Sequence, residues 1–403
     1  AFKGPTSLAV VGVNFMDELS SFALLTIPLF VLLGAAIGVS AAGRDIYESL
    51  YRWLARVPGG LVIANIFACG VFSAICGSSP ATAAAIGKIG VPEMLRRGVK
   101  PSMATGAISA GGTLGILIPP SITMILYGIV TETSIGRLFL SGVVPGIVLV
   151  LLFALYAWLA SRREQGRNPG SFPDDHFTWK QKMEGLVRVS PFVGLIVAIA
   201  YFMYGGIASP SEIAAISALL ALVLVVTIYR GWRASDLWRI FRDTVRESTM
   251  ILMIIGAAGL FSYMMSLLYV SQTAAEAMVS LQLDRWTLML LINIFMLVAG
   301  CFLPPVAIIL MLMPIFTPVL EANNFDLIWF AVILTINMEV GLITPPVGLN
   351  LYVLKGVAPQ VPLPMVLKGS LPYVLIMFGF MVLLSVFPGL ALWLPNTLMG
   401  PGH

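Results

Sequence analysis

The chain alternates long apolar stretches with short polar ones. About 20 apolar residues let a helix cross a bilayer. Residues 22–39, 138–159, 191–205, 210–229, 250–268 and 370–393 read as plain spans. Residues 43–56 differ: Ile46, Leu50 and Leu54 fall at helical spacing, with Arg44, Arg52 and Arg56 elsewhere. That pattern predicts a helix lying in the membrane interface. Residues 271–286 are expected to be its counterpart. Residues 61–98 could cross twice, but ICGSSPATAA at 75–84 interrupts them with small and polar residues. The limb 61–74 is too short for a crossing, so a re-entrant hairpin with its tip at 76–80 is expected. Residues 286–320 form a second hairpin with its tip in GCFLPP at 300–305. The longest polar loop runs over 160–189, and 230–246 is a basic connector. Residues 1–20 are mixed, with an acidic pair at Asp17 and Glu18. They lack the positive opening of a signal peptide.

Two further segments, 101–130 and 328–357, are apolar but broken. The first holds GGTLGILIPPS at 111–121, the second EVGLITPPV at 339–347. The pairs Gly115/Gly341, Pro119/Pro345 and Pro120/Pro346 keep one constant interval, and Pro145/Pro372 departs from it by one residue. The chain therefore carries two related halves. Broken backbone at membrane depth persists only where protein or a watery cavity surrounds it. Matching breaks in two halves point to a transporter's binding site. The spans over 191–229 have counterparts mostly before residue 1, so at least one more upstream helix is expected.

Composition agrees with a membrane protein. Of 403 residues 59% are hydrophobic and 10% charged, with mean hydropathy +0.96. Soluble domains carry about 25% charged residues. With residues 1–20 outside and each hairpin returning to its own side, all of the 23 Lys and Arg except Lys3, Arg137 and Arg285 fall inside. That is the side positive residues favour. The hairpins then enter from opposite faces. The expected fold is an all-α polytopic membrane protein of inverted repeats, with two re-entrant hairpins and two broken transmembrane helices. Its parts are a scaffold helix and interfacial arm (1–56), a first hairpin and broken helix (57–130), and a span and linker (131–190). Scaffold helices (191–284), a second hairpin and broken helix (285–357), and a last span and tail (358–403) follow. The basic segments read as topology signals, and no nucleic-acid partner is expected. Cys69, Cys76 and Cys301 all lie in apolar segments, which excludes a disulfide framework or zinc spacing. His176 and His403 lie in a polar loop and at the C-terminus, as ordinary solvated histidines do.

The first tip offers Gly77, Ser78 and Ser79 before Pro80. The helix restarting there presents free N–H groups suited to an anion. Carbonyls ending the first limb, with the two hydroxyls, can hold a hard cation. The facing break adds Gly111, Gly112, Thr113 and Gly115. Oxygen ligands without a carboxylate suit Na⁺ better than a divalent ion. Small residues packing helices closely would leave the same pattern. The second site has its tip at 301–305, Leu303 included, and its break from Asn337 through Met338, Glu339, Val340 and Gly341 to Thr344. Glu339 is the acidic residue this topology puts at membrane depth, functional by default or a cap on the broken helix. Asn350 can bond substrate or hairpin. Ser79, Thr113, Glu339 and Asn350 are the candidate substrate contacts. No nucleophile–base pair appears, and an intramembrane hydrolase is a distant alternative.

These motifs, SSFALLTIPLFVLLG (20–34), CGSSPATAAAIG (76–87), AGGTLGILIPPS (110–121) and NMEVGLITPPVGLNLY (337–352), resemble the large membrane subunit of TRAP (tripartite ATP-independent periplasmic) transporters. The resemblance covers nearly the whole chain. It implies a non-enzymatic, Na⁺-coupled elevator in a bacterial or archaeal inner membrane, with Na⁺ as coupling ion. It also implies a small membrane subunit and a periplasmic binding protein delivering an organic anion, such as a C4-dicarboxylate or sialic acid. The Na⁺ sites would fall on Gly77–Ser79 with Gly112, Thr113 and Gly115, and on the second tip with Met338, Gly341 and Thr344. Pro304 stands where family members often carry an acid. A stand-alone Na⁺/dicarboxylate symporter is the alternative within transport.

Overall fold

The computed structural model describes residues 6–167, 175–205, 207–228, 233–270, 273 and 283–400. The described elements are all helical. Seven helices are long and apolar enough to cross a membrane: Phe22–Val39, Ile135–Gly166, Trp179–Tyr204, Pro210–Thr227, Ala234–Leu267, Pro305–Ala322 and Leu363–Val386. The outer faces of the helices in 179–267 carry exposed Val197, Tyr201, Leu219, Val223, Met250 and Met253. Apolar side chains so placed suit a lipid solvent.

Both hairpins are present as helix–turn–helix units. Gly60–Cys76 turns through Gly77 and Ser78 into Ser79–Arg96. Arg285–Gly300 turns through 301–304 into Pro305–Ala322. The limb Gly60–Cys76 has 17 residues. At 1.5 Å per residue it is about 25 Å long, short of the ~30 Å hydrocarbon core. Both broken spans are broken where the prolines stand. Pro101–Thr113 passes through a short 3-10 turn, Leu114–Ile116, and resumes at Ile122–Val130. Leu327–Leu342 resumes at Leu349–Val357. Pro119–Pro120 and Pro345–Pro346 are both cis. Residues 104–113 and 329–342 are buried without exception, so protein surrounds the approach to each break.

Three expectations need correcting, and one segment read only as mixed is helical. Residues 1–20 contain a helix, Thr6–Leu19, that packs on Ala234–Leu267. Much of the polar stretch 160–189 is helical, because Ile135–Arg167 runs on into it and Trp179–Tyr204 starts within it. A capping box starts the latter: Thr178 accepts from the Gln181 backbone N–H, and the Gln181 side chain accepts from that of Thr178. The basic connector is the first part of one helix, Ala234–Leu267; Ile240, Thr244, Ser248, Ile251 and Ile255 are buried at helical spacing along it. The last span stops at Val386, and Gly389–Met399 is separate. Pro388 disfavours helical backbone at Phe387 before it. The expected second interfacial helix, 271–286, falls mostly outside the described residues.

The interfacial arm is Ala42–Leu54, packed on Gly60–Cys76 and on Trp179–Tyr204. The first hairpin, the first broken span and Leu363–Val386 pack against one another at the centre.

Candidate functional site

The first tip and the first break meet backbone to backbone. Gly77 turns the chain at φ +62°, a left-handed conformation a side chain would strain. A Cβ there would lie 2.8 Å from the Pro120 carbonyl oxygen. One at Gly115 would lie 2.7 Å from the Ser78 carbonyl oxygen, and one at Gly112 would lie 2.6 Å from Ala83 Cβ. These glycines therefore permit tip and break to approach closely, Gly115 against Ser78 and Ser79 and Gly112 against Ala83, with Thr113 between the two glycines in the chain. Thr113 and Ser79 are fully buried, and Ser78 is partly buried. The Thr113 hydroxyl donates to the Ala110 carbonyl at 2.7 Å. With its proton so committed, the oxygen has only lone pairs to offer, as a cation ligand must.

The second tip and break repeat this plan. A Cβ at Gly341 would lie 2.5 Å from the Gly300 carbonyl carbon. The Val347 N–H donates to the Cys301 carbonyl at 3.2 Å, fastening tip to break. The Thr344 hydroxyl donates to Val340 at 2.6 Å, leaving lone pairs outward as in Thr113. Met338 is buried beside Gly300. Leu303 is 39% exposed and Phe302 60%, so this tip stands at the surface. Glu339 is fully buried and neither carboxylate oxygen has a hydrogen-bond partner.

Asn350 joins the two halves. It lies on Leu349–Val357, after the second break, yet its amide donates to the Ser79 hydroxyl at 2.8 Å. Leu349–Val357 packs on Ser79–Arg96, so the second half contributes to the first cleft. The Asn350 carbonyl oxygen is buried without a partner.

Two of the cavities that border this core carry charged side chains. One of about 370 Å³ lies between Thr26–Val39, Ala234–Leu267 and the first hairpin. It reaches Cys76 and Ser78 at the tip and includes Lys88, Arg239, Asp243 and Glu247. The other, of about 570 Å³, is lined by Asp17, Glu18, Ser21, Val130, Ser262 and Pro314, among others. Sequence reasoning missed Lys88, Asp243 and Glu247, which it had read within topology signals or passed over. It also missed Asn65 and Asn293, one in the first limb of each hairpin. Both donate back one turn, to Leu61 at 2.8 Å and to Met289 at 2.9 Å. Asn293 also accepts from Asn337 at 2.9 Å. A polar amide inside an otherwise apolar limb was the available signal.

Known proteins resemble this chain in sequence and in fold. The family described as "Tripartite ATP-independent periplasmic transporter, DctM component" matches residues 1–390. A C4-dicarboxylate TRAP transporter large permease protein from Pseudomonas aeruginosa is 35% identical over 98% of this chain and 91% of its own length. A sialic acid TRAP transporter large permease protein from Vibrio cholerae is 29% identical over 97% of this chain and 92% of its own. An isethionate TRAP transporter permease from Oleidesulfovibrio alaskensis, DctMQ, is 31% identical over 93% of this chain and 58% of its own length. Among solved structures, the YdaH transporter of Alcanivorax borkumensis has the same fold, with a TM-score of 0.69 at 16% identity, over 98% of this chain and 91% of its own. Family match, full-length relatives and helical architecture agree: the chain belongs to the DctM component family of tripartite ATP-independent periplasmic transporters, and is a multi-pass transport protein rather than an enzyme.

Proposed function

We propose that this chain carries a small organic anion across a bacterial or archaeal inner membrane, driven by Na⁺ moving with it. The observation that carries the reading is the pair of tip–break junctions. Each closes on glycine, and each presents a threonine whose proton is already used. The first of these offers oxygen ligands without a carboxylate, which suit Na⁺, and the second has the Glu339 carboxylate on the same broken span. The free N–H groups where Ser79–Arg96 begins suit a carboxylate beside it. Relatives named for C4-dicarboxylates and sialic acid support an organic acid as the substrate class.

In this reading the halves are inverted repeats. The two hairpins and two broken spans move together as an elevator against the scaffold formed by 22–54, 191–228 and 234–267. A small membrane subunit packs on that scaffold, and a periplasmic binding protein delivers the anion. The cavity reaching Ser78 past Lys88 and Arg239 is then the exit path, on the side where most Lys and Arg collect. Coupling requires that Na⁺ favour the loaded over the empty state.

The test is uptake of a labelled dicarboxylate or sialic acid into vesicles holding this chain and its small subunit, with the binding protein outside. Uptake should need inward-directed Na⁺ and should fail with K⁺ alone. Accumulation indifferent to Na⁺ contradicts the coupling. Uptake with no binding protein points instead to a stand-alone symporter.

A further inference from the structure

Away from the clefts, the base of the first hairpin meets the interfacial arm around a cavity of about 600 Å³. Four arginines line it: Arg44 and Arg52 from the arm, and Arg96 and Arg97 from the hairpin base. Glu48 and Glu93 are its acidic members. Two of the arginines are held by the protein. Arg97 pairs with Asp175 and donates to the Tyr51 hydroxyl at 2.8 Å. Arg52 donates to the Gln181 carbonyl at 2.7 Å. The other two are loosely held. Among the described residues, Arg44 pairs along its own helix with Glu48 at 2.8 Å, and Arg96 along its own with Glu93. Their side chains are 68% and 76% exposed. Exposed pairs of this kind contribute little, so both guanidinium groups can be recruited by another anion.

A second observation points to that anion. Tyr47 lines the same cavity, is 5% exposed, and its hydroxyl is buried with no partner among the described residues. A buried hydroxyl is normally bonded. Here it can donate to an oxygen entering between the arginines. Guanidinium groups bind phosphate oxygens in pairs. The arm also carries membrane-interface markers. Trp53 and Trp179 pack edge to face at 5.4 Å, with Lys182 over Trp53. Tryptophan and lysine so placed sit at headgroup depth.

We propose that this cavity is a binding site for the phosphodiester headgroup of an anionic membrane phospholipid, held by Arg44, Arg96 and the Tyr47 hydroxyl. The lipid bridges the interfacial arm and the hairpin base. Membrane placement favours a lipid over free phosphate, because the Trp53–Trp179 pair holds the site where headgroups already are.

Native mass spectrometry of the purified full chain, titrated with phosphatidylglycerol or phosphatidylcholine, tests this. The wild type should retain phosphatidylglycerol roughly tenfold more strongly than phosphatidylcholine. Arg44→Gln with Arg96→Gln should abolish that preference. Tyr47→Phe, which keeps the ring's packing, should reduce it. Arg242→Gln, outside the cavity, should leave it intact. Equal preference in wild type and in the Arg44/Arg96 variant overturns the proposal. So does inorganic phosphate displacing phosphatidylglycerol, or stabilising the wild type as strongly as the lipid does, since the source would then be the free ion.

Discussion

At the first cleft, Gly77, Ser79 and Thr113 are buried, and Ser79 is bonded across the molecule to Asn350. At the second, Phe302 and Leu303 stand exposed, and a backbone bond from Val347 to Cys301 ties tip to break. Both clefts use glycine to bring backbone against backbone, and both bind their threonine proton internally. What differs is the wall around each. The first tip is packed between its own break and a helix from the other half; the second ends at the surface. A shared local plan therefore does not impose shared accessibility. In the transport reading, the second tip is free to open while the first is held. The bases differ too. Arg97 ties the first hairpin to Asp175 and Tyr51, whereas Arg285 beside the second lies 4.3 Å above the Phe325 ring and donates to Asn324 at 3.0 Å.

The contrast can be broken most forcefully at the two glycines. A Cβ at Gly115 would strike the Ser78 backbone at 2.7 Å, and one at Gly341 would strike Gly300 at 2.5 Å. Overpacking costs roughly 1–3 kcal/mol where neighbours cannot yield. Gly115→Val should abolish vesicle uptake, since the enclosed tip has nowhere to go. Gly341→Val should leave a measurable fraction, because the exposed tip can shift. Equal loss in both would erase the distinction.

Next in size is the bond between halves. Asn350→Ala leaves the Ser79 hydroxyl without its partner, at about 1–3 kcal/mol for an unsatisfied buried group. Uptake should fall roughly tenfold, and Ser79→Ala should do much the same. The double variant should be little worse than either single one, because contacting residues couple. Strict additivity would show that the bond has no functional weight.

The smallest effect belongs to the base of the first hairpin. The Arg97 guanidinium, followed by the Tyr51 hydroxyl, holds the Asp175 carboxyl below the ordinary carboxylate range. Its contribution is therefore present above the unfolded-state pKa and is lost as pH falls through the lowered folded value. The pair is partly exposed, 29% for Arg97 and 38% for Asp175, so screening keeps the effect small. The melting temperature of the wild type should drop slightly more steeply than that of Asp175→Asn as pH goes below about 4. Parallel curves would remove the pair from the stability of the first hairpin.

The sequence made the breaks and tips readable because proline and glycine dictate backbone directly. Single prolines such as Pro145 and Pro372 stay inside helices, but the adjacent pairs Pro119/Pro120 and Pro345/Pro346 remove two successive ladder donors, and glycine at 77 tolerates the left-handed turn made there. The ends of the helices were less legible. Thr178 with Gln181 was a readable start signal lost inside a charged stretch, and the buried stripe Ile240–Thr244–Ser248 was masked by surrounding arginines. Long helices extending past the bilayer change composition without changing structure, so hydropathy alone cut them short. The Asn350–Ser79 bond could not be read at all, because it depends on how two distant segments pack. The same holds for the unequal exposure of the two tips: GCFLPP and ICGSSP look alike as turns, and only their surroundings differ.

Equilibrium binding of radioactive Na⁺ to the purified chain, compared in Thr113→Ala, Thr344→Ala and the double variant, addresses the ion sites themselves. Each single substitution should lower the bound Na⁺, and the double substitution should remove nearly all of it, with melting behaviour unchanged. Undiminished Na⁺ binding in the double variant would contradict the assignment of both clefts.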